Sequence, residues 1–290
     1  VSLTIQADPD LINNIIGPGI QDLLDGDTPM LDGVNLMTYD FSGAFSDTTS
    51  YSSNLYNDDY SQFSVDDAVK AAEGQKIPVS MIRIGIPSYE RAAIADISPN
   101  KGGLGQNISN KNHPILPGDL DPIAISDTTP GPQYCYPNTK LDAGHEGQVS
   151  CSGTFTYRYV INNMLDHGFI ATDHTDVVAT TAYANDFSVS TATEFNGSTP
   201  QGIQERYPSP NSNSEDPGFK NVYISYLSAQ DACMYGQYAK HKRLKGAIMW
   251  EMLGDLPPSN QQSLMNAFNW GFDPKHTDCN IKALDPLPAA

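Results

Sequence analysis

Three short clusters hold the side chains of this chain whose types and spacing could do chemistry. The first closes the apolar run Val34–Met37: Met37 is followed by Thr38, the phenol of Tyr39 and the carboxylate of Asp40, and Gly43 then lets the backbone turn away. The second, Tyr89 and Arg91, follows the apolar run Met81–Ile86. The third is Trp250 and Glu251, near the end of the run that starts at Gly246. Phenol, carboxylate, guanidinium and indole supply hydrogen-bond donors, acceptors and a flat apolar ring face. Polar groups placed just past the end of an apolar strand point to the carboxyl-terminal rim of a parallel barrel, where such folds carry their chemistry.

The elements that must position these clusters follow a βα rhythm. Leu3–Ala7 reads as a buried parallel strand. Leu11–Leu24 reads as a helix interrupted at Gly17-Pro18-Gly19. A polar turn leads into the strand Val34–Met37, and residues 42–63 form a long polar loop. Ser64-Val65-Asp66-Asp67 starts a helix that runs to about Glu73 and closes at Gly74. Met81–Ile86 is the next strand. The pattern is that of a parallel α/β sheet.

The rhythm stops after Arg91. Residues 92–218 are polar and irregular, with a helical pattern only at Tyr157–Leu165, and read as an insertion of domain size. It then resumes. Val222–Tyr226 is extended, and Ser228-Ala229-Gln230-Asp231 caps a helix to about His241. Gly246–Met252 is a strand. Ser259-Asn260-Gln261-Gln262 caps a last helix with Leu264, Ala267 and Phe268 on one face. The tail after Cys279 reads as disordered. Four strands with this spacing make half of an eight-stranded barrel and leave two open edges.

Bulk composition narrows the function classes. The 290 residues carry 34 acidic and 16 basic side chains, a net charge of −18, and 39% are hydrophobic. Nothing resembles the clustered Lys and Arg of a nucleic-acid footprint, and anionic membranes are disfavoured for the same reason. No run of 18 apolar residues occurs, so no transmembrane helix is expected. The charge suits a neutral partner such as an uncharged polysaccharide. There is no Cys-x-x-Cys and no His-Glu-x-x-His, so neither a metal nor another cofactor is expected. Cys135, Cys151, Cys233 and Cys279 allow three pairings. Cys135 and Cys151 bracket a Gly/Pro/Asn-rich stretch, which makes them the preferred disulfide, with four free thiols as the alternative.

The pattern Met37-x-Tyr39-Asp40-x-x-Gly43 resembles the sixth-strand motif of glycoside hydrolase family 18, the chitinases. Tyr89 and Arg91 resemble its seventh strand, and Gly246-Ala247-x-x-Trp250-Glu251 its eighth, in the right order. The resemblance covers most of residues 1–275. It implies a partial TIM (β/α)8 barrel. Residues 1–91 would hold barrel strands five to seven, and residues 92–218 an α+β chitinase insertion domain. Residues 219–275 would hold the last strand and its helices, and residues 276–290 a tail.

It also implies retaining cleavage of β-1,4-linked N-acetylglucosamine polymers, with the substrate's own acetamide as nucleophile. Tyr39 would donate to the acetamide oxygen, Asp40 would bond beside it, and Met37 would line the acetamide pocket. Trp250 would form a stacking floor. Tyr89 and Arg91 would hold sugar hydroxyls, and Glu251 would stand at the rim. Chitin or its oligomers would be the partner, and the setting would be secreted.

Two departures stand out. Glu90 occupies a position that is usually Gly, and is expected to alter the cleft wall. The general-acid motif Asp-x-x-Asp-x-Asp-x-Glu is absent: Asp119-Leu120-Asp121 is followed by Pro122 and Ile123. The resemblance places that motif upstream of Val1. The chain therefore reads as the carboxyl-terminal barrel half, inactive alone and completed by the missing half or a second copy. The alternatives are a non-catalytic oligosaccharide-binding pseudo-chitinase and a barrel half within a larger assembly.

Overall fold

The computed structural model describes residues 1–24, 30–95, 103–108, 133–137, 149–165, 169–187, 219–276 and 278–279. Two sheets organise them. The first contains β1 (Ser2–Gln6), β2 (Gly33–Met37), β3 (Ile82–Pro87) and β10 (Gly246–Trp250), in the order β1-β2-β3-β10 and parallel throughout. The second contains β4 (Tyr89–Ile94), β5 (Gln133–Pro137), β6 (Val149–Thr156), β7 (Ile170–His174), β8 (Ala179–Phe187) and β9 (Phe219–Tyr226). Its order is β5-β6-β4-β9-β8-β7, and every pair is antiparallel. The chain thus leaves the parallel sheet after β3, builds the second sheet, and returns so that β10 lies beside β3.

The faces of the parallel sheet follow from side-chain alternation. Ile5, Val34, Leu36, Ile82, Ile84 and Ile86 all point into the core and are at most 6% exposed. Each such aliphatic side chain contributes about 1.5–3 kcal/mol by burial. The opposite face is polar. Asn35 Nδ2 donates to Thr4 Oγ1 (3.2 Å), while Arg83 Nη1 donates to Asn35 Oδ1 (3.2 Å) and Ser2 Oγ (3.3 Å).

Helices cover the apolar face. The first helical stretch comprises α1 (Pro9–Leu11), a wider π turn (Ile12–Ile16) and α2 (Gly17–Leu24). The expected break at Gly17-Pro18-Gly19 does not occur. The Gly17 N–H bonds back to Ile12 O, a longer reach that lets the helix pass the residue without an N–H. A Cβ at Gly17 would come within 2.3 Å of Gln75 Cγ, so only glycine lets this turn approach α3 (Val65–Gly74). Ser64 caps α3 by accepting from Asp67 N at 3.1 Å. A short α4 (Tyr157–Tyr159) follows β6.

Ser228 and Asp231 form a reciprocal capping box on α5 (Ala229–Lys242). The last helix, α6 (Leu264–Phe272), is capped by Ser263 and not by the expected Ser259–Gln262. Asp255 selects that start: its carboxylate accepts from Ser263 Oγ (2.8 Å), Leu264 N (2.8 Å) and Met265 N (3.1 Å). No described helix is long and apolar enough to cross a membrane.

Among the described residues, the polar stretch after Arg91 carries β5 to β8 where an irregular chain was expected. Their residues are Thr, Ala and Tyr as much as Val or Ile, so the apolar periodicity is faint and cross-strand partners decide. The loop after β2 stitches the two sheets together. Ser52 N donates to Ser225 Oγ (2.8 Å), Ser52 Oγ to Ser225 O (2.9 Å), and the amides of Leu55 and Tyr56 both bond to Val177 O.

Cys233 and Cys279 form a disulfide with their Cα atoms 5.6 Å apart. This excludes four free thiols and was not the preferred pair. Cys135 and Cys151 stand opposite one another in the β5–β6 register, but their side chains lie outside the described residues. So does the tail beyond Cys279.

Candidate active site

The site grows from the end of β2. Thr38 is fully buried and fastens that end to β3: its Oγ1 donates to Gly85 O (2.9 Å) and accepts from Gly85 N (2.8 Å). Its carbonyl accepts from Ser53 Oγ (2.8 Å), which lies 3.0 Å from the Tyr235 hydroxyl on α5. Tyr39 therefore leaves a fixed point. Its ring lies across Gly85, where a Cβ would sit 2.6 Å from Cε1. Asp40 takes φ 63°, the left-handed region that Asp tolerates better than most side chains.

Tyr89 and Arg91 reach Asp40 from β4. The Tyr89 hydroxyl donates to Asp40 Oδ1 at 2.9 Å; Arg91 Nε donates to Oδ1 at 2.7 Å and Nη2 to Oδ2 at 2.6 Å. This forked, charge-assisted pairing fixes the carboxylate in both position and plane. The guanidinium also lies 5.3 Å from the Tyr89 ring centroid and 6.0 Å from that of Phe45, a favourable cation–π arrangement. Tyr39 and Tyr89 meet edge to face with centroids 6.0 Å apart.

The resulting hollow has a volume of about 260 Å³ and is lined by Gln6, Ala7, Asp8, Met37, Tyr39, Asp40, Phe41 and Phe63. Burial, and then the neighbouring Asp40, push the Tyr39 hydroxyl up to about 12. Burial followed by Asp40 pushes Tyr89 up as well. Both phenols are thus protonated donors at neutral pH. That of Tyr89 is used on Asp40, whereas Tyr39 has no hydrogen-bond partner among the described residues.

The sequence-derived candidates fall into two groups. Met37, Tyr39, Asp40, Tyr89 and Arg91 meet at one place. Trp250 lies at the end of β10 opposite Pro87, at the same sheet end but beyond β3. It is 60% exposed and does not line the hollow. Its carbonyl accepts from Ser88 N (3.0 Å), and the next carbonyl, Glu251 O, accepts from Ser88 Oγ. The Glu251 side chain is half-buried at this turn.

Glu90 corrects an expectation. It does not stand in the cleft wall, because alternation along β4 sends it to the other face, away from Tyr89 and Arg91. There it is fully buried. The sequence reading also missed Gln6, Phe41, Phe45 and Phe63. Gln6 stood inside the expected strand Leu3–Ala7, one place before its end, and so gave no strand-end signal. The three phenylalanines depend on how the long loop folds back. Among the described residues no group of three His, Cys, Asp or Glu side chains could hold a metal ion.

Gly85→Ala tests how tightly the ring is seated. The added methyl is expected to displace the Tyr39 ring and cost about 1–3 kcal/mol, as overpacking does. Thermal melts and the Tyr39 ring resonances would report it, and an unmoved ring would contradict the packing described.

A parallel α/β sheet with a phenol–carboxylate–guanidinium cluster at its carboxyl end is a TIM-barrel-like α/β arrangement with a candidate site at the strand ends. The profile of glycosyl hydrolases family 18 matches residues 2–255, and the chain belongs to that family. Chitinase 1 of Aphanocladium album is 29% identical over 120 residues, which is 38% of this chain and 28% of that protein. A chitinase from Rhizomucor miehei superposes with a TM-score of 0.58 at 16% identity, covering 92% of this chain and 60% of that one. A chitinase from Cycas revoluta in complex with (GlcNAc)3 gives 0.53 at 16% identity, covering 92% and 53%. The chain thus spans little more than half the length of these solved relatives.

Proposed function

We propose that this chain is the carboxyl-terminal half of a secreted, chitinase-type barrel, with β1, β2, β3 and β10 as barrel strands five to eight. The antiparallel sheet, built mainly from residues 92–218, is the insertion domain. The whole enzyme cleaves β-1,4-linked N-acetylglucosamine polymers with retention, through attack of the substrate's own acetamide.

One observation carries this reading: the unpartnered Tyr39 hydroxyl opens onto the hollow beside an Asp40 held by three hydrogen bonds. Tyr39 donates to the acetamide oxygen and orients it for attack. Asp40 keeps negative charge next to the cationic oxazolinium ion that then forms. Met37 lines the acetamide pocket. Tyr89 and Arg91 act chiefly by fixing Asp40, a narrower role than direct contact with sugar hydroxyls. Trp250 and Phe45, both exposed, offer ring faces for sugars along the rim, with Glu251 beside Trp250.

The general acid comes from the missing barrel half. The 290 residues alone are therefore expected to leave a chromogenic N-acetylglucosamine oligomer uncleaved. Nuclear magnetic resonance titration with the same oligomer should shift the Met37 methyl and the Tyr39 ring together. Turnover that disappears in Tyr39→Phe would refute the half-barrel reading. If the complete protein binds oligomers but never cleaves them, the chain belongs to a non-catalytic, sugar-binding relative.

A further inference from the structure

We propose that Asp231, Thr180 and Asp173 form a proton-operated latch that fastens the antiparallel sheet to helix α5, closed in acidic medium and slackened as the pH rises.

The latch sits on one cross-strand row. Asp173 on β7 is the register partner of Thr180 on β8, and Thr180 is that of Tyr226 on β9. Residues directly opposite one another in antiparallel strands share a sheet face. Glu90 on β4 faces the same way, because its neighbour Arg91 pairs with Ser225, the residue before Tyr226. The row thus carries carboxyl groups at Asp173 and Glu90. Another acid meets it from outside the sheet: Asp231, in the first turn of α5. Thr180 and Asp231 are buried, and Asp173 is exposed.

Thr180 Oγ1 lies 2.6 Å from Asp231 Oδ2 and 3.3 Å from Asp173 Oδ1. A threonine hydroxyl has one proton to donate. With both carboxylates ionised, only one of these contacts is a hydrogen bond, and the other sets two oxygens together without a proton. One added proton resolves the conflict. Carried on Asp231 Oδ2, it is donated to Thr180 Oγ1, and the Thr180 proton is then donated to Asp173. Two directed bonds then link α5, β8 and β7.

The surroundings decide how firmly that proton is held. Asp231 Oδ2 also accepts from Ser228 N (3.0 Å) and Ser228 Oγ (2.7 Å), and a helix N-terminus favours negative charge. Burial, the larger effect, opposes the charge, and so does Asp173. Tyr226 on β9, Tyr157 on α4 and Tyr235 on α5 also face Asp231, and none of these groups is a cation. Burial therefore pushes the Asp231 carboxyl up to about 6. The folded chain holds this proton more tightly than the unfolded chain. The stability it adds is complete below the ordinary aspartate value of 3.8 and is lost as pH rises through about 6. Because β9 also backs the Arg91 that clamps Asp40, the candidate site is held most firmly on the acid side.

The test uses the 290-residue chain. Carboxyl carbon-13 resonances follow the titration of Asp231, and hydrogen exchange, corrected for intrinsic rates, follows the opening of β8 and the first turn of α5. The Asp231 midpoint should fall near about 6, and the opening constant should rise by up to about tenfold per pH unit between about pH 4 and that midpoint, the effect of one linked proton. Asp231→Asn offers Thr180 an N–H at every pH and should remove that one-proton rise. Asp173→Asn removes the competing carboxylate, so it should lower the Asp231 midpoint.

An Asp231 midpoint in the ordinary aspartate range overturns the latch. So does a rise in opening that survives Asp231→Asn unchanged, or a midpoint indifferent to Asp173→Asn. Thermal melts check that both variants fold. Should Asp231→Asn fail to fold, Asp173→Asn, a change at an exposed residue, decides the matter by itself.

Discussion

Replacing both Cys233 and Cys279 with serine is expected to destabilise the fold by about 4 kcal/mol, the loop-entropy value for a cross-link across 46 residues. That corresponds to a fall of roughly 8–16 °C in Tm for a domain of this size. The bond ties α5 to the segment that follows α6. The two helices already pack without room: a Cβ at Gly271 would sit 1.9 Å from Cys233 O, and one at Gly236 would sit 2.2 Å from Phe268 O.

Other contacts hold the same segment. Lys240 Nζ donates to Asp273 O (3.3 Å) and His276 O (3.2 Å), Trp270 Nε1 donates to Asp278 O (3.2 Å), and the Trp270 ring stacks on His276. These persist after reduction and place the measured loss toward the lower figure. Melts with and without reductant would check it. Identical curves would mean that the cross-link restrains nothing the helices do not already restrain.

Glu90→Met is expected to stabilise the chain by about 1–3 kcal/mol at neutral pH, the scale of one unsatisfied buried group. Both carboxyl oxygens of Glu90 are buried without a hydrogen-bond partner. Tyr157 on α4 and Tyr226 on β9 are the titratable groups that feel its charge, and neither offers a cation. Burial therefore pushes the acid well above its ordinary value of 4.5.

The sign of the pH dependence follows. The folded chain holds this proton more tightly than the unfolded chain does. The contribution of protonated Glu90 is therefore fully present below the ordinary glutamate range and is lost as pH rises through the folded value. The advantage of Glu90→Met should be smallest near pH 4 and should widen upward. Urea unfolding at several pH values measures it. A gap that stays constant with pH would show that Glu90 has a partner in solution.

The legible parts of this chain were those governed by local rules. Met37, Tyr39, Asp40 and Gly43 could be read because a strand end and its turn are specified within seven residues. Ser64 and Ser228 could be read because a cap and its third residue are neighbours in sequence. Ser263 was missed because the group that selects it, Asp255, lies eight residues upstream across a Pro-Pro turn. The strands β5 to β8 were missed for a similar reason. Their stabilising partners are cross-strand neighbours, and β8 pairs with β9 across more than thirty residues of chain. Glu90 was read as a wall residue because its immediate neighbours face the site, whereas a strand reverses direction at every residue.

The strand β4 serves two structures at once. Tyr89 and Arg91 clamp Asp40 on one side, while Glu90 and Ala92 lie in the core on the other. Its own backbone is held by β6 and β9, through pairs such as Tyr89–Thr156 and Arg91–Ser225. Excising residues 92–218 to obtain a minimal fragment would leave both clamping residues in the chain yet strip away the β6 ladder and all of the β9 ladder but the Arg91–Ser225 pair. A graft that shortens this protein must therefore carry a substitute hairpin, or it will surrender the very carboxylate it was meant to keep.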